Sequence, residues 1–165
     1  MSTLQQYIDE GRLIRRAWTG RDADGRETAC LLAAMAPVCG AKQDAAACPA
    51  EVMPQWLAHL TPWIDDNGTA AAWPGMVRRY AAVAARWHVL TPEAWQRAEW
   101  RVKIAIVEEA LSHVAPKALN VRAACQGVID VYRNAIETGA LDESATWAAA
   151  AAAAAEAARA ARAAW

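Results

Sequence analysis

Alanine supplies 44 of the 165 residues, tryptophan nine, and phenylalanine none. Alanine is the best helix former. Its short side chain lets helices approach closely but buries little area per residue. A chain built this way folds as closely packed helices, with indoles filling the gaps that small side chains leave. Hydrophobic residues make up 56% of the chain and charged ones 21%, which excludes a disordered chain. The formal net charge is -1, which argues against nucleic acid as the main partner.

Local signals divide the chain into six or seven helices. Residues 4–13 form a first helix, capped by Ser2 or Thr3 and loosened by Gly11. Residues 15–25 carry two turn signals, Thr19-Gly20 and Asp24-Gly25, and read either as a small hairpin or as an irregular loop. Asp24, with Glu27 three residues on, is alternatively the cap of the next helix. That second helix spans 27–36 and is stopped by Pro37. A loop covers 38–49, and a third helix covers 50–60, with Pro54 early enough to be tolerated or kinking it. Residues 61–68 read as a turn of helix and then a loop. The fourth helix is 69–87, with Trp73, Met76, Val77, Tyr80, Val83, Ala84 and Trp87 on one stripe. Thr91-Pro92-Glu93 starts a fifth helix that runs to Val114, and a sixth spans 117–138 before Gly139. The last helix begins at Asp142 or Ser144. Trp147 and Trp165 are 18 residues apart, about five turns, so they share a face. The expected fold is an all-α single-domain bundle over 1–165. It comprises an N-terminal arm (1–26), a helical core (27–139) and an Ala-rich terminal helix (142–165).

The chemistry-bearing residues are scattered. Cys30, Cys39 and Cys48 are spaced nine apart and Cys125 stands alone; none forms C-x-x-C, so buried reduced thiols are expected. A Cys39–Cys48 disulfide would need an oxidising compartment. Asp22-Ala23-Asp24-Gly25 with Glu27 matches only half of a calcium loop and reads as a turn. His59, Asp65, His88 and His113 are the candidates for a metal or catalytic site, without the H-E-x-x-H spacing that would support one. Asp65-Asp66 reads as a solvated loop, and Glu109 with His113 as a helix pair. No catalytic fingerprint is found, so no enzyme, cofactor or metal is expected. The residues before Glu10 lack an apolar run, and no window is long and apolar enough to span a membrane; the expected location is the cytoplasm.

The densest basic stretch holds Arg12, Arg15, Arg16, Arg21 and Arg26, with Trp18 among them. Arg and Trp are the residues that most often anchor protein interfaces. Arg78, Arg79 and Arg86 add a smaller basic face. Trp56, Trp63, Trp73, Trp87, Trp95 and Trp100 cluster in the middle third and are expected in the core; Trp18, Trp147 and Trp165 are expected at the surface.

Residues 147–165 resemble the Ala/Arg/Trp-rich helical tails of bacterial immunity proteins. Residues 12–32 and the run Trp56-Leu57-Ala58-His59-Leu60-Thr61-Pro62-Trp63 resemble small phage- and prophage-encoded helical proteins. The resemblance implies a small cytosolic protein of bacterial or phage conflict that acts by binding. The expected function is thus non-catalytic inhibition. A toxin or defence-system component is occluded by a surface including Arg12, Arg15, Arg16, Trp18, Arg21, Arg26, Trp147 and Trp165. The alternatives are a nucleic-acid-binding regulator using Arg12 to Arg26, a small metal protein or enzyme, and a homo-oligomer assembled through the terminal Ala helix.

Overall fold

The computed structural model describes residues 3–145, 147–148, 151–152 and 155. The fold is mostly helical, with one small two-stranded sheet. The chain divides into two compact units, 1–90 and 91–165.

In the first unit, helix α1 (Thr3–Asp9) stops short of Leu13. Gly11 takes a left-handed φ of 65° and the Arg12 N–H donates to the Tyr7 carbonyl at 2.9 Å, which closes the helix end. The hairpin forms. Strand β1 (Thr19–Arg21) runs antiparallel to β2 (Glu27–Ala29), with Thr19 opposite Ala29 and Arg21 opposite Glu27. Asp22, not Asp24, organises the turn. Its Oδ1 accepts the N–H groups of Asp24 and Arg26 at 3.0 and 2.9 Å, and Gly25 supplies a positive φ of 77°.

This pairing corrects the second helix. Residues 27–29 are strand, and helix α2 (Leu31–Met35) starts only after Cys30, whose sulfur accepts the Ala33 N–H at 3.4 Å. Ladder bonds to β1 and to Arg12 and Ile14 on the other side outweigh helix propensity there. Leu31 to Ala34 are all buried, so α2 is the centre of the unit's core. The expected loop at 38–49 is instead largely helical. Pro37 opens helix α3 (Pro37–Lys42), Gln43 ends it at a left-handed φ of 52°, and Asp44 caps a 3-10 turn at Ala45–Ala47.

Helix α4 (Gln55–Asn67) begins later and ends later than expected. Pro54 is its N-cap rather than an interior kink, and the helix continues through Pro62. Pro62 removes one backbone donor. Beside it, Thr61 Oγ1 donates to the Leu57 carbonyl at 2.7 Å and accepts from the Tyr80 hydroxyl at 2.6 Å, tying α4 to helix α5 (Trp73–Ala84). The fourth helix thus starts at Trp73, and Trp87 lies beyond it in a 3-10 turn, Trp87–Val89.

The second unit pairs helix α6 (Pro92–Ser112) with helix α7 (Leu119–Thr138). Thr91 caps α6, accepting the Ala94 N–H at 3.2 Å, and Gly139 closes α7 at a φ of 77°. Trp100 and Ile104 of α6 and Ile129 and Ala135 of α7 are buried. Arg133 meets Glu108 at 2.9 Å across the pair, and Lys103 sits 5.5 Å from the Tyr132 ring. Most of the Ala-rich terminal helix expected at 142–165 lies outside the described residues. No helix among the described residues is long and apolar enough to cross a membrane.

Candidate functional site

Helix α4 turns Leu57, Ala58, Thr61 and Asp65 inward. That phase fixes the rest of the helix: Gln55, His59, Trp63 and Asn67, each four residues from the next, lie exposed on its outer side. Trp63 is 62% exposed. A core position was expected for it; the helix instead runs on through Pro62 to Asn67, and Leu57, Ala58, Thr61 and Asp65 take its inward side.

Asp65 is buried and joins three segments. Its Oδ2 accepts the Leu31 N–H at the start of α2 at 3.0 Å, and its Oδ1 accepts the Trp73 Nε1–H at 2.6 Å. Burial pushes its pKa up from the usual carboxylate value, although both hydrogen bonds and the nearby Arg15 guanidinium pull it down. Asp65 is therefore a packed structural group, not part of a solvated loop.

Arg15 caps the C-terminal end of the same helix. Its Nε donates to the Asp65 carbonyl and its Nη2 to the Asp66 carbonyl, both at 2.9 Å, with a further bond to the Gly68 carbonyl. The guanidinium lies 5.9 Å from the Trp73 ring. A cation at a helix C-terminus complements the helix dipole. The next residue continues the attachment: the Arg16 N–H donates to Asp66 Oδ1 at 2.6 Å, with Arg16 at a φ of 62°. These bonds fasten residues 15–16 to the end of α4. Arg16, Ala17 and Trp18 then line a cleft of about 140 Å³ together with Pro62, Asp65 and Asp66. Arg16 is exposed and Trp18 half-buried.

The other arginines of the stretch have partners within the chain. Arg12 pairs with Glu10, donates to the Glu27 carbonyl at 2.8 Å, and lies 4.1 Å from the Tyr7 ring. Arg21 donates to the Gly25 carbonyl at 2.8 Å, and Arg26 pairs with Asp22 at 2.8 Å. The Asp22 carboxyl is in turn held below its usual range. Much of the positive charge of this stretch is thereby matched locally. A second cleft, of about 480 Å³, lies along the hairpin, with Tyr7, Thr19, Arg21, Glu27 and Pro37 in its lining. In the second unit Trp147 is 75% exposed; Trp165 lies outside the described residues.

The residues considered for metal or catalysis are dispersed. His59 is exposed on α4, His88 contacts the Ala85 carbonyl at 3.0 Å, and His113 contacts Glu109 at 3.1 Å. No group of three metal-ligating side chains gathers among the described residues. Cys30, Cys39 and Cys48 are buried free thiols. Burial raises their pKa values, that of Cys48 to about 12, so little nucleophilic thiolate forms at neutral pH.

Two features of the first unit stand out at the surface: the exposed Trp63 indole on the outer side of α4, and a small cleft edged by Arg16, Trp18 and Pro62. No protein family, curated protein or solved structure matches the chain.

Proposed function

We propose that the protein is a non-catalytic inhibitor of bacterial or phage conflict that acts in the cytoplasm. It occludes a protein partner, a toxin or a defence-system component. Its helices serve as a single scaffold for the binding surface. One observation carries this reading: Trp63 stands 62% exposed on the outer side of α4, while the inner side of that helix is fastened by Asp65 and Arg15. An indole held on a rigid element loses little entropy when it docks, and Trp and Arg dominate interface energetics. Arg16 and Trp18 extend the surface, with Arg21 and Arg26 on the adjoining hairpin. Arg12 and Arg15 position it, and Trp147 and Trp165 are a second contact region.

The nucleic-acid alternative is less favoured because Arg12 and Arg26 already face carboxylates. A tagged wild-type chain is used to capture partners from its host's lysate at high salt after nuclease treatment. Trp63→Ala and Trp18→Ala are run beside it, with exposed His113→Ala as control. A single protein retained by wild type and His113→Ala, and weakened about 30-fold or more by Trp63→Ala, supports occlusion; that loss corresponds to about 2 kcal/mol. Retention undiminished in both Trp variants overturns the surface. Recovery of nucleic acid alone, lost as salt rises, replaces the reading with a regulator.

A further inference from the structure

The hairpin turns one face toward α3. The Cys30 N–H donates to the Trp18 carbonyl at 2.9 Å and the Asp22 N–H to the Arg26 carbonyl at 3.0 Å. These bonds fall at alternate positions of the ladder. The pairs Thr19–Ala29 and Arg21–Glu27 are therefore the non-hydrogen-bonded ones, with Cα atoms roughly 4.5 Å apart and side chains on one face. Thr19 identifies that face, because its Cγ2 is the atom nearest to a Cβ built at Gly40 of α3. All four residues line the cleft of about 480 Å³, and Ala33 of α2 with Pro37 and Ala41 of α3 gives it an apolar wall. Small-molecule sites span roughly 300–1,000 Å³, so the cleft has the size of one.

Opposite charges stand across the strands at the end of the cleft nearest the turn. Arg21 spends Nη1 on the Gly25 carbonyl at 2.8 Å and keeps further N–H donors. Arg12 reaches Glu27 only at its backbone carbonyl. Among the described residues the Glu27 carboxylate has no ion-pair partner, Arg21 included. We infer that this cleft binds a free α-amino acid with an apolar side chain. The ligand's ammonium donates to the Glu27 carboxylate, its carboxylate accepts from the Arg21 guanidinium, and its side chain lies against Ala33, Pro37 and Ala41. Charge complementarity selects this class. A simple anion meets Glu27, a simple cation meets Arg21, and an internal stretch of peptide carries neither charge. A zwitterion with both charges on one carbon's substituents answers both. The site lies within the first unit and needs no partner protein, so its failure would leave the occlusion reading standing.

The purified full chain is titrated with L-leucine at neutral pH and followed by amide chemical shifts. The expected result is saturable movement of residues 19–21, 27–29 and 38–41, with a dissociation constant on the order of 0.1–1 mM for so small a ligand. Two analogues test the charges on the unaltered chain. 4-Methylpentanoic acid lacks the ammonium, and 3-methylbutylamine lacks the carboxylate; each should bind about tenfold or more weakly. Glycine, which lacks the apolar side chain, should also bind about tenfold or more weakly. Glu27→Gln and Arg21→Gln should weaken leucine to a similar degree, and circular dichroism checks that each variant keeps its fold. The analogues decide the matter even if a variant folds poorly. No saturable shift at 10 mM leucine, shifts centred away from the hairpin and α3, or an analogue or glycine that binds as tightly as leucine overturns the proposal. So does undiminished binding in a folded Glu27→Gln chain.

Discussion

Asp65 holds the start of α2 and the Trp73 indole with the two oxygens of one carboxylate. Asp65→Asn presents an amide group to one of those two N–H donors, which strands a buried donor. The expected loss is about 1–3 kcal/mol, read from urea unfolding followed by circular dichroism. The pH dependence has a definite sign. Burial raises the folded-state pKa above the ordinary 3.8. Above that value the unfolded chain has released a proton that the folded chain still holds. The contribution of Asp65 is thus full below the unfolded pKa and declines as pH rises through the folded one. The stability gap between wild type and Asp65→Asn should be wider in acid than at neutral pH; a gap that widens toward neutrality would refute this. Arg15 shows what residue-level reading of a sequence lacks. Its type suggested a contact surface, but its acceptors lie 50 to 53 residues further along the chain. Nothing in local spacing reveals them.

Elements whose ends are set by adjacent residues were legible. Thr91-Pro92-Glu93 starts α6, and Gly139 closes α7, as the cap chemistry dictates. Thr91→Ala should cost about 1 kcal/mol and lower the melting temperature by a few degrees, with helicity otherwise kept. An unchanged melting curve would mean that the Ala94 N–H finds another acceptor. Elements decided by distant partners were not legible. Residues 27–29 have ordinary helical composition but pair with β1. α4 runs on through Pro62 to Asn67, whereas local signals end it at residue 60. With 61–68 read as a turn and a loop, the outward position of Trp63 on the helix is lost, and with it the central residue of the proposed surface. The hairpin was readable because Asp22 and Gly25 act locally.

At the scale of the whole chain, the boundary between the units falls at Leu90 and Thr91, where the cap of α6 begins. The first unit buries Leu31 to Ala34 of α2, whereas the second has four buried hydrophobic residues among those described. Ile106, Leu119 and Trp147 are exposed there. Amide exchange reports such differences directly, because opening free energy follows buried contacts. Peptides covering α2 and α4 should retain protection longer than peptides covering α7. Equal protection across both units would show a single cooperative transition instead. The abundance of alanine pointed to helices; it did not reveal how unevenly burial is shared between these two parts.

Gly40 sets a clearance. A Cβ built there would stand 2.8 Å from Thr19 Cγ2 and 2.9 Å from Ala33 Cβ, closer than real side chains come. Ala33 belongs to the buried core and has no rotamer to change, so Thr19 must yield, by its side chain or with the strand that carries it. The next residue back is Trp18. Where the strand gives way, a methyl at position 40 acts as a shim that displaces the proposed recognition surface at Trp18 through its neighbour Thr19. Gly40→Ala should leave the chain folded with a lowered melting temperature and weaken the captured partner, although residue 40 is itself buried. If the complex survives Gly40→Ala unchanged while stability falls, the position of Trp18 is not what the partner measures.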